Sequence, residues 1–204
     1  MTPTILIVPG MGDSGPAHWQ SLWEEELDSA ARVSLGLWDR PLRRPWVTQL
    51  NLAIERAGGP VVLVAHSLGC LAVAHWAAMA QPAYGNPVVG ALLVAPPEVD
   101  VAPVDPRLAD FGPAPTSILP FRSILVASRD DPWCHFERAR RLAGFWGSEF
   151  ADAGEVGHIN ADSDLGIWPF GQFLLARLRG QRIAPRPIPV VALSAEDNPL
   201  ARPL

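Results

Sequence analysis

Val61-Val62-Leu63-Val64-Ala65-His66-Ser67-Leu68-Gly69-Cys70 opens with five aliphatic residues and passes through a serine-bearing turn into a second apolar stretch, Leu71 to Met79. The aliphatic run offers no polar face, which predicts a strand buried on both sides in a parallel sheet. The stretch from Leu71 is apolar almost all round and predicts a helix packed on that strand. Between them stands small-X-Ser-X-Gly, the strand-turn-helix pattern that holds a serine in a strained backbone and presents its hydroxyl as a nucleophile. Small residues are needed two places before and after the serine because strand and helix approach closely there. Ala65 stands where the pattern has Gly, and alanine is the next smallest residue. A helix starting at Leu68 turns its first N–H groups toward the reacting centre, so the Leu68 N–H is a candidate oxyanion donor.

Similar strand signals lie on either side. Ile5 to Val8 is closed by Pro9-Gly10, and Val88 to Val94 and Ser123 to Ala127 follow the elbow with room for a helix between neighbours. Amphipathic stretches alternate with them: Trp19 to Leu27, Trp46 to Ile54, Phe136 to Leu142 and Leu165 to Leu178. This alternation predicts an α/β fold, a single doubly wound and mainly parallel sheet flanked by helices, with ligands beyond the carboxyl ends of the strands. Residues 96–120, rich in Pro and Asp and without helical period, predict an irregular excursion over the site rather than a cap domain. The domain is expected to span residues 1–180. Residues 181–204 shift to Pro, Arg and Ala and are expected to form a tail outside the core, within which Val190 to Leu193 could dock as a strand.

A serine hydroxyl needs a base to take its proton, and the base needs a third group to fix its tautomer. In this type of fold the chain order is Ser, then Asp or Glu, then His. Ser128-Arg129-Asp130-Asp131-Pro132 follows a strand and offers two carboxylates, of which Asp131 is preferred and Asp130 is the alternative. Gly157-His158-Ile159-Asn160 places His158 in a loop before the last helix, as the base. Among the other histidines, His66 within the elbow is expected to point away from the nucleophile, His75 to pack on the following helix, and His135 to lie too close to the acid loop.

The second oxyanion donor is expected from Pro9-Gly10-Met11-Gly12-Asp13-Ser14-Gly15-Pro16, where glycines let the backbone turn an N–H toward the site and Met11 is the candidate. Gly10, Gly12, His18 and Trp19 are candidate pocket residues. Neither the Walker spacing nor G-x-G-x-x-G is present, so a phosphate cradle is not expected.

Composition narrows the chemistry further. Of 204 residues 49% are hydrophobic and 18% charged, enough for one sizeable core. All 16 basic residues are Arg, which removes Ser/Lys dyads and lysine Schiff bases. A formal charge of -5 without a basic run argues against nucleic acid. Cys70 and Cys134 are too few for a disulfide framework and lack metal-ligand spacing, so no metal and no organic cofactor are expected. The opening Met1 to Val8 carries no basic leader and no stretch of ~20 apolar residues, so a cytoplasmic protein without membrane association is expected.

These motifs together, Val8-Pro9-Gly10, Ser14-Gly15-Pro16-Ala17-His18-Trp19-Gln20, Ala65-His66-Ser67-Leu68-Gly69, Ser128 to Pro132 and Gly157 to Asn160, resemble the small serine hydrolases of the α/β-hydrolase fold that include retinoblastoma-binding protein 9 and YdeN. The likeness covers roughly residues 3–180. It implies a compact hydrolase with little or no cap, a triad of Ser67, Asp131 and His158 in which the second Asp of Asp-Asp-Pro is the acid, and esterase activity on small-molecule acyl esters. The tail after Gln181 departs from the family pattern.

Three rivals remain at this level. Gly12-Asp13-Ser14 resembles the serine string of Gly-Asp-Ser-Leu lipases, but Glu155-Val156-Gly157-His158 replaces their Asp-x-x-His and Gly15 their Leu. A non-catalytic binding module could keep the same residues, since fold alone does not establish activity. A thioesterase or lipase would use the same chemistry on another leaving group or a longer chain, with the 8 Trp residues as possible pocket material.

Overall fold

The computed structural model describes residues 2–101 and 103–180. The tail expected at 181–204, with its possible docking strand, lies outside the described residues. In chain order the elements are β1 (Thr4–Val8), α1 (Trp19–Glu26), β2 (Ala30–Arg32), α2 (Arg43–Ala57), β3 (Val61–His66), α3 (Leu68–Ala80), β4 (Val88–Val94), β5 (Arg122–Ala127), α4 (Phe136–Trp146), β6 (Glu149–Asp152) and α5 (Pro169–Leu178). Short 3-10 turns occupy Pro106–Phe111 and Ala161–Ser163.

All six strands pair in parallel in the order β2-β1-β3-β4-β5-β6. The doubly wound sheet expected from the alternating pattern is therefore observed. Because side chains alternate along a strand, β3 splits its residues between two cores. Leu63 and Ala65 join Trp46, Leu50, Leu71 and Trp146 of α2, α3 and α4, whereas Val62 and Val64 join Trp19, Trp23, Leu174 and Leu175 of α1 and α5. Every residue of β3 is buried, which is why its sequence reads as an unbroken apolar run.

The helix after β1 and the helix after β3 pack on opposite faces, so a crevice opens between the carboxyl ends of these neighbouring strands. Residues 96–120 lie close to the body. Leu108 and Phe111 are buried, His75 Nε2 donates to the Phe111 carbonyl at 2.8 Å, and the Trp146 indole donates to the Pro115 carbonyl at 2.8 Å.

Candidate active site

Ser67 adopts φ 52° and ψ -126°, left-handed backbone that a non-glycine residue enters only when its surroundings hold it there. Two hydrogen bonds do so: its N–H donates to the Val94 carbonyl at 2.9 Å, and its carbonyl accepts the Cys70 N–H at 2.9 Å. Gly69 shows why the turn needs small residues. A Cβ there would stand 2.4 Å from the Val8 carbonyl oxygen and 2.6 Å from that of Pro9, and a Cβ on Gly10 would stand 2.8 Å from Ser67 Cβ. Strand β1, its exit loop and the head of α3 thus meet around the serine with no room for another carbon.

The Ser67 Oγ lies 2.8 Å from His158 Nε2, and His158 Nδ1 lies 2.9 and 3.0 Å from the two carboxylate oxygens of Asp131. With Nδ1–H donating to the carboxylate, Nε2 is left as acceptor for the serine hydroxyl. The side chains of His158 and Asp131 are 8% and 3% exposed, so this chain of hydrogen bonds is shielded from competing water. Asp131 Oδ1 also accepts the Trp133 N–H at 2.9 Å, and the Trp133 ring lies beside His158, tilted by 32° with centroids 5.5 Å apart.

Asp130 turns elsewhere. Its Oδ1 accepts the Ser128 hydroxyl at 2.6 Å and the Gly157 N–H at 2.8 Å, and these bonds hold its carboxyl below the usual aspartate range. The Ser128 hydroxyl in turn accepts the Val156 N–H at 2.9 Å. One aspartate therefore meets the imidazole and its neighbour pins the loop that carries it.

A cleft of about 210 Å³ opens at Ser67, and its lining includes Met11, Gly15, His18, His66, Trp133 and His158. Of the pocket residues singled out in the sequence, His18 lies on this lining and the others do not. Trp19 is a correction: it is 1% exposed and belongs to the core, packed on Trp23 and Trp168 with centroids 4.8 and 4.9 Å away. Its indole N–H donates to the Ile159 carbonyl at 2.8 Å, tying α1 to the loop of His158. Gly10 sits beneath Ser67, and Gly12, at φ 83°, shapes the loop by donating to the Trp38 carbonyl at 3.0 Å. Leu68 is the first residue of α3, where helix geometry leaves the N–H outside the intrahelical ladder, and Met11 is among the cleft's lining residues.

His66 departs from expectation. Rather than pointing away, it shares the face of Val62 and Val64, lines the cleft, and donates from Nε2 to the His158 carbonyl at 2.9 Å. Burial, with the His158 and His18 rings nearby, holds it well below the usual histidine range and keeps it neutral. Residue parity along β3 was the signal that could have found it. Ser14, the rival nucleophile, is 5% exposed and donates its hydroxyl to Gln20 Oε1 at 2.7 Å. Among the described residues, no three His, Cys, Asp or Glu side chains gather as a metal ion requires, and no helix is long and apolar enough to cross a membrane.

A family model described as serine hydrolase matches residues 5–177. The chain belongs to the serine hydrolase family. It is similar to a solved YdeN-like hydrolase from Pectobacterium atrosepticum, 33% identical over 88% of this chain and 91% of that one, with a TM-score of 0.78. The YdeN structure from Bacillus subtilis is 19% identical, covers 88% of this chain and 100% of its own, and superposes with a TM-score of 0.72. A monoacylglycerol lipase from Paleococcus ferrophilus, 13% identical with 88% and 96% covered and a TM-score of 0.62, shares the fold. A search of curated protein sequences finds no match. As a member of the serine hydrolase family, the chain is an enzyme with a hydrolytic function, and the resemblance drawn from its motifs holds.

Proposed function

We propose that the protein hydrolyses small acyl esters through an acyl-enzyme on Ser67. His158 Nε2 takes the Ser67 proton as Oγ attacks the acyl carbon. Asp131 keeps His158 in the Nδ1–H tautomer and offsets the charge that the imidazole gains. The Leu68 and Met11 N–H groups hold the oxyanion, donors of a kind whose single loss costs about 100-fold or more in rate. As the tetrahedral intermediate collapses, His158 returns the proton to the leaving alcohol. Water then attacks the acyl group by the same route and frees Ser67.

The observation that carries this reading is the hydrogen-bonded line from Ser67 Oγ through His158 to Asp131, with separations of 2.8 and 2.9 Å, in which Ser67 and His158 line the cleft. A cleft of about 210 Å³ favours a short acyl group. Free, buried Cys70 and Cys134 are in keeping with a reducing compartment, and we place the enzyme in the cytoplasm on that ground, with a small molecule rather than nucleic acid as its partner.

Labelling with a fluorophosphonate probe and mapping the adduct by mass spectrometry tests the nucleophile. p-Nitrophenyl esters of increasing chain length, with matched thioesters, rank the substrates. An adduct on Ser67 with turnover lost in Ser67→Ala is expected. No adduct and no turnover would overturn the proposal in favour of a binding role.

A further inference from the structure

Arg32 ends the edge strand β2, in register with Ile7 of β1, and its guanidinium is bonded both to the loop after β1 and to helix α1. Nη1 donates to Asp13 Oδ1 at 2.9 Å and to the Ser14 carbonyl at 2.8 Å, Nη2 to Ser21 Oγ at 2.7 Å, and Nε to Glu24 Oε2 at 2.8 Å. The side chain is 20% exposed, so water competes only in part, and a planar fork lets one residue reach loop and helix together. Ser21 Oγ donates in turn to the Ser14 and Gly15 carbonyls, both at 2.8 Å.

The loop so held is the one that touches the nucleophile. A Cβ on Gly10 would lie 3.3 Å from Ser67 Oγ, and Met11, next in the chain, lines the cleft together with Ser67. Gly10 to Asp13 form a turn closed by the Asp13 N–H donating to the Gly10 carbonyl at 3.2 Å, with Gly12 at φ 83° where a type II turn needs left-handed backbone. Asp13 follows at φ 63°, a conformation that aspartate tolerates but does not prefer. Its Oδ1 accepts the Ser14 N–H at 2.7 Å as well as Arg32 Nη1, and these two bonds fix the last corner of the turn. The charge of Arg32 is felt in the same cleft, where burial first and Arg32 second lower the His18 pKa to about 4 and keep that ring neutral.

We propose that Arg32 is a positioning residue for the oxyanion loop. By clamping Asp13 and Ser14 to β2 and α1, it holds the Gly10–Asp13 turn at the separation from Ser67 at which the Met11 N–H meets the oxyanion. Arg32 acts through the turn and not on the reacting atoms. Its loss leaves Ser67, His158 and Asp131 in place but lets the turn relax. This inference rests on the assignment of Met11 as an oxyanion donor in the acyl-enzyme mechanism proposed above.

The test compares wild type, Arg32→Met and Arg32→Lys, with every rate expressed per Ser67 titrated to completion by the fluorophosphonate probe. The readouts are p-nitrophenyl acetate turnover, inhibition by a short trifluoromethyl ketone, whose adduct on Ser67 carries an oxyanion, and inhibition by the matched alkyl amide, which stays planar. In Arg32→Met, kcat/KM falls about tenfold, less than the ~100-fold of a donor lost outright. Ketone affinity falls by the same factor while amide binding is unchanged. Arg32→Lys keeps the charge without the fork, shows the same split to a smaller degree, and serves where Arg32→Met does not fold. A merely structural role would lower the thermal midpoint and the titratable fraction but leave kcat/KM and ketone affinity at each titrated Ser67 as in wild type. That result, or equal weakening of ketone and amide, overturns the proposal. Failure of wild type to take the probe and to turn over ester would instead overturn the esterase reading, and this one with it.

Discussion

Asp130 Oδ1 accepts the Gly157 N–H at 2.8 Å, one residue before His158, while Asp131 holds the His158 ring itself. Adjacent carboxylates thus act on backbone and side chain of the same loop. Replacing Asp131 by Asn removes the acceptor that selects the Nδ1–H tautomer and is expected to lower kcat by about 10⁴, as in triads generally. Asp130→Asn keeps an acceptor oxygen and should lose far less. Steady-state kinetics of both variants with one p-nitrophenyl ester decide; equal losses would refute the division of labour.

Gly69 and Gly15 form a second contrast. Alanine at Gly69 would drive its Cβ to 2.4 Å from the Val8 carbonyl, whereas at Gly15 nothing lies within 4 Å. Overpacking against backbone is expected to destabilise Gly69→Ala by about 3 kcal/mol or more, against a few tenths for Gly15→Ala. Urea unfolding of the two variants measures the difference.

Acid should weaken the fold before it reaches ordinary carboxylate pKa values. The folded pKa of His18, lowered from 6.5 to about 4, means that the unfolded chain binds a proton more readily between those limits. Stability is full above pH 6.5, declines as pH falls toward 4, and His18 adds nothing further below that. Its share is on the order of 3 kcal/mol, and the lowered pKa of His66 acts in the same direction. Urea midpoints at pH 7.5, 5.5 and 4.5 should therefore fall steadily, and His18→Asn should flatten the decline.

Both thiols should be silent in the native enzyme. Burial raises Cys70 far above the usual thiol range and pushes Cys134 up to about 12, the latter helped by Glu98 and Asp131. Iodoacetamide at pH 8 is expected to label neither until denaturant is added. Rapid labelling of native protein would show that Cys134 is accessible after all.

Local pattern decided a good deal from the sequence alone. Strands β1, β3, β4 and β5 were legible because strands buried on both faces leave unbroken aliphatic runs, and the elbow because the close approach at Gly69 admits only small residues. β2 (Ala30–Arg32) and β6 (Glu149–Asp152) were not, since short edge strands with one face toward solvent carry no such run. Trp19, His66 and the two aspartates needed the tertiary structure. Which way each side chain faces depends on the parity of its position and on what packs opposite, and the partners of Trp19 and His66, Ile159 and His158, lie 140 and 92 residues away. Composition and spacing name the residues that can do chemistry, but only folding brings such distant segments to one cleft and so decides which of them meet.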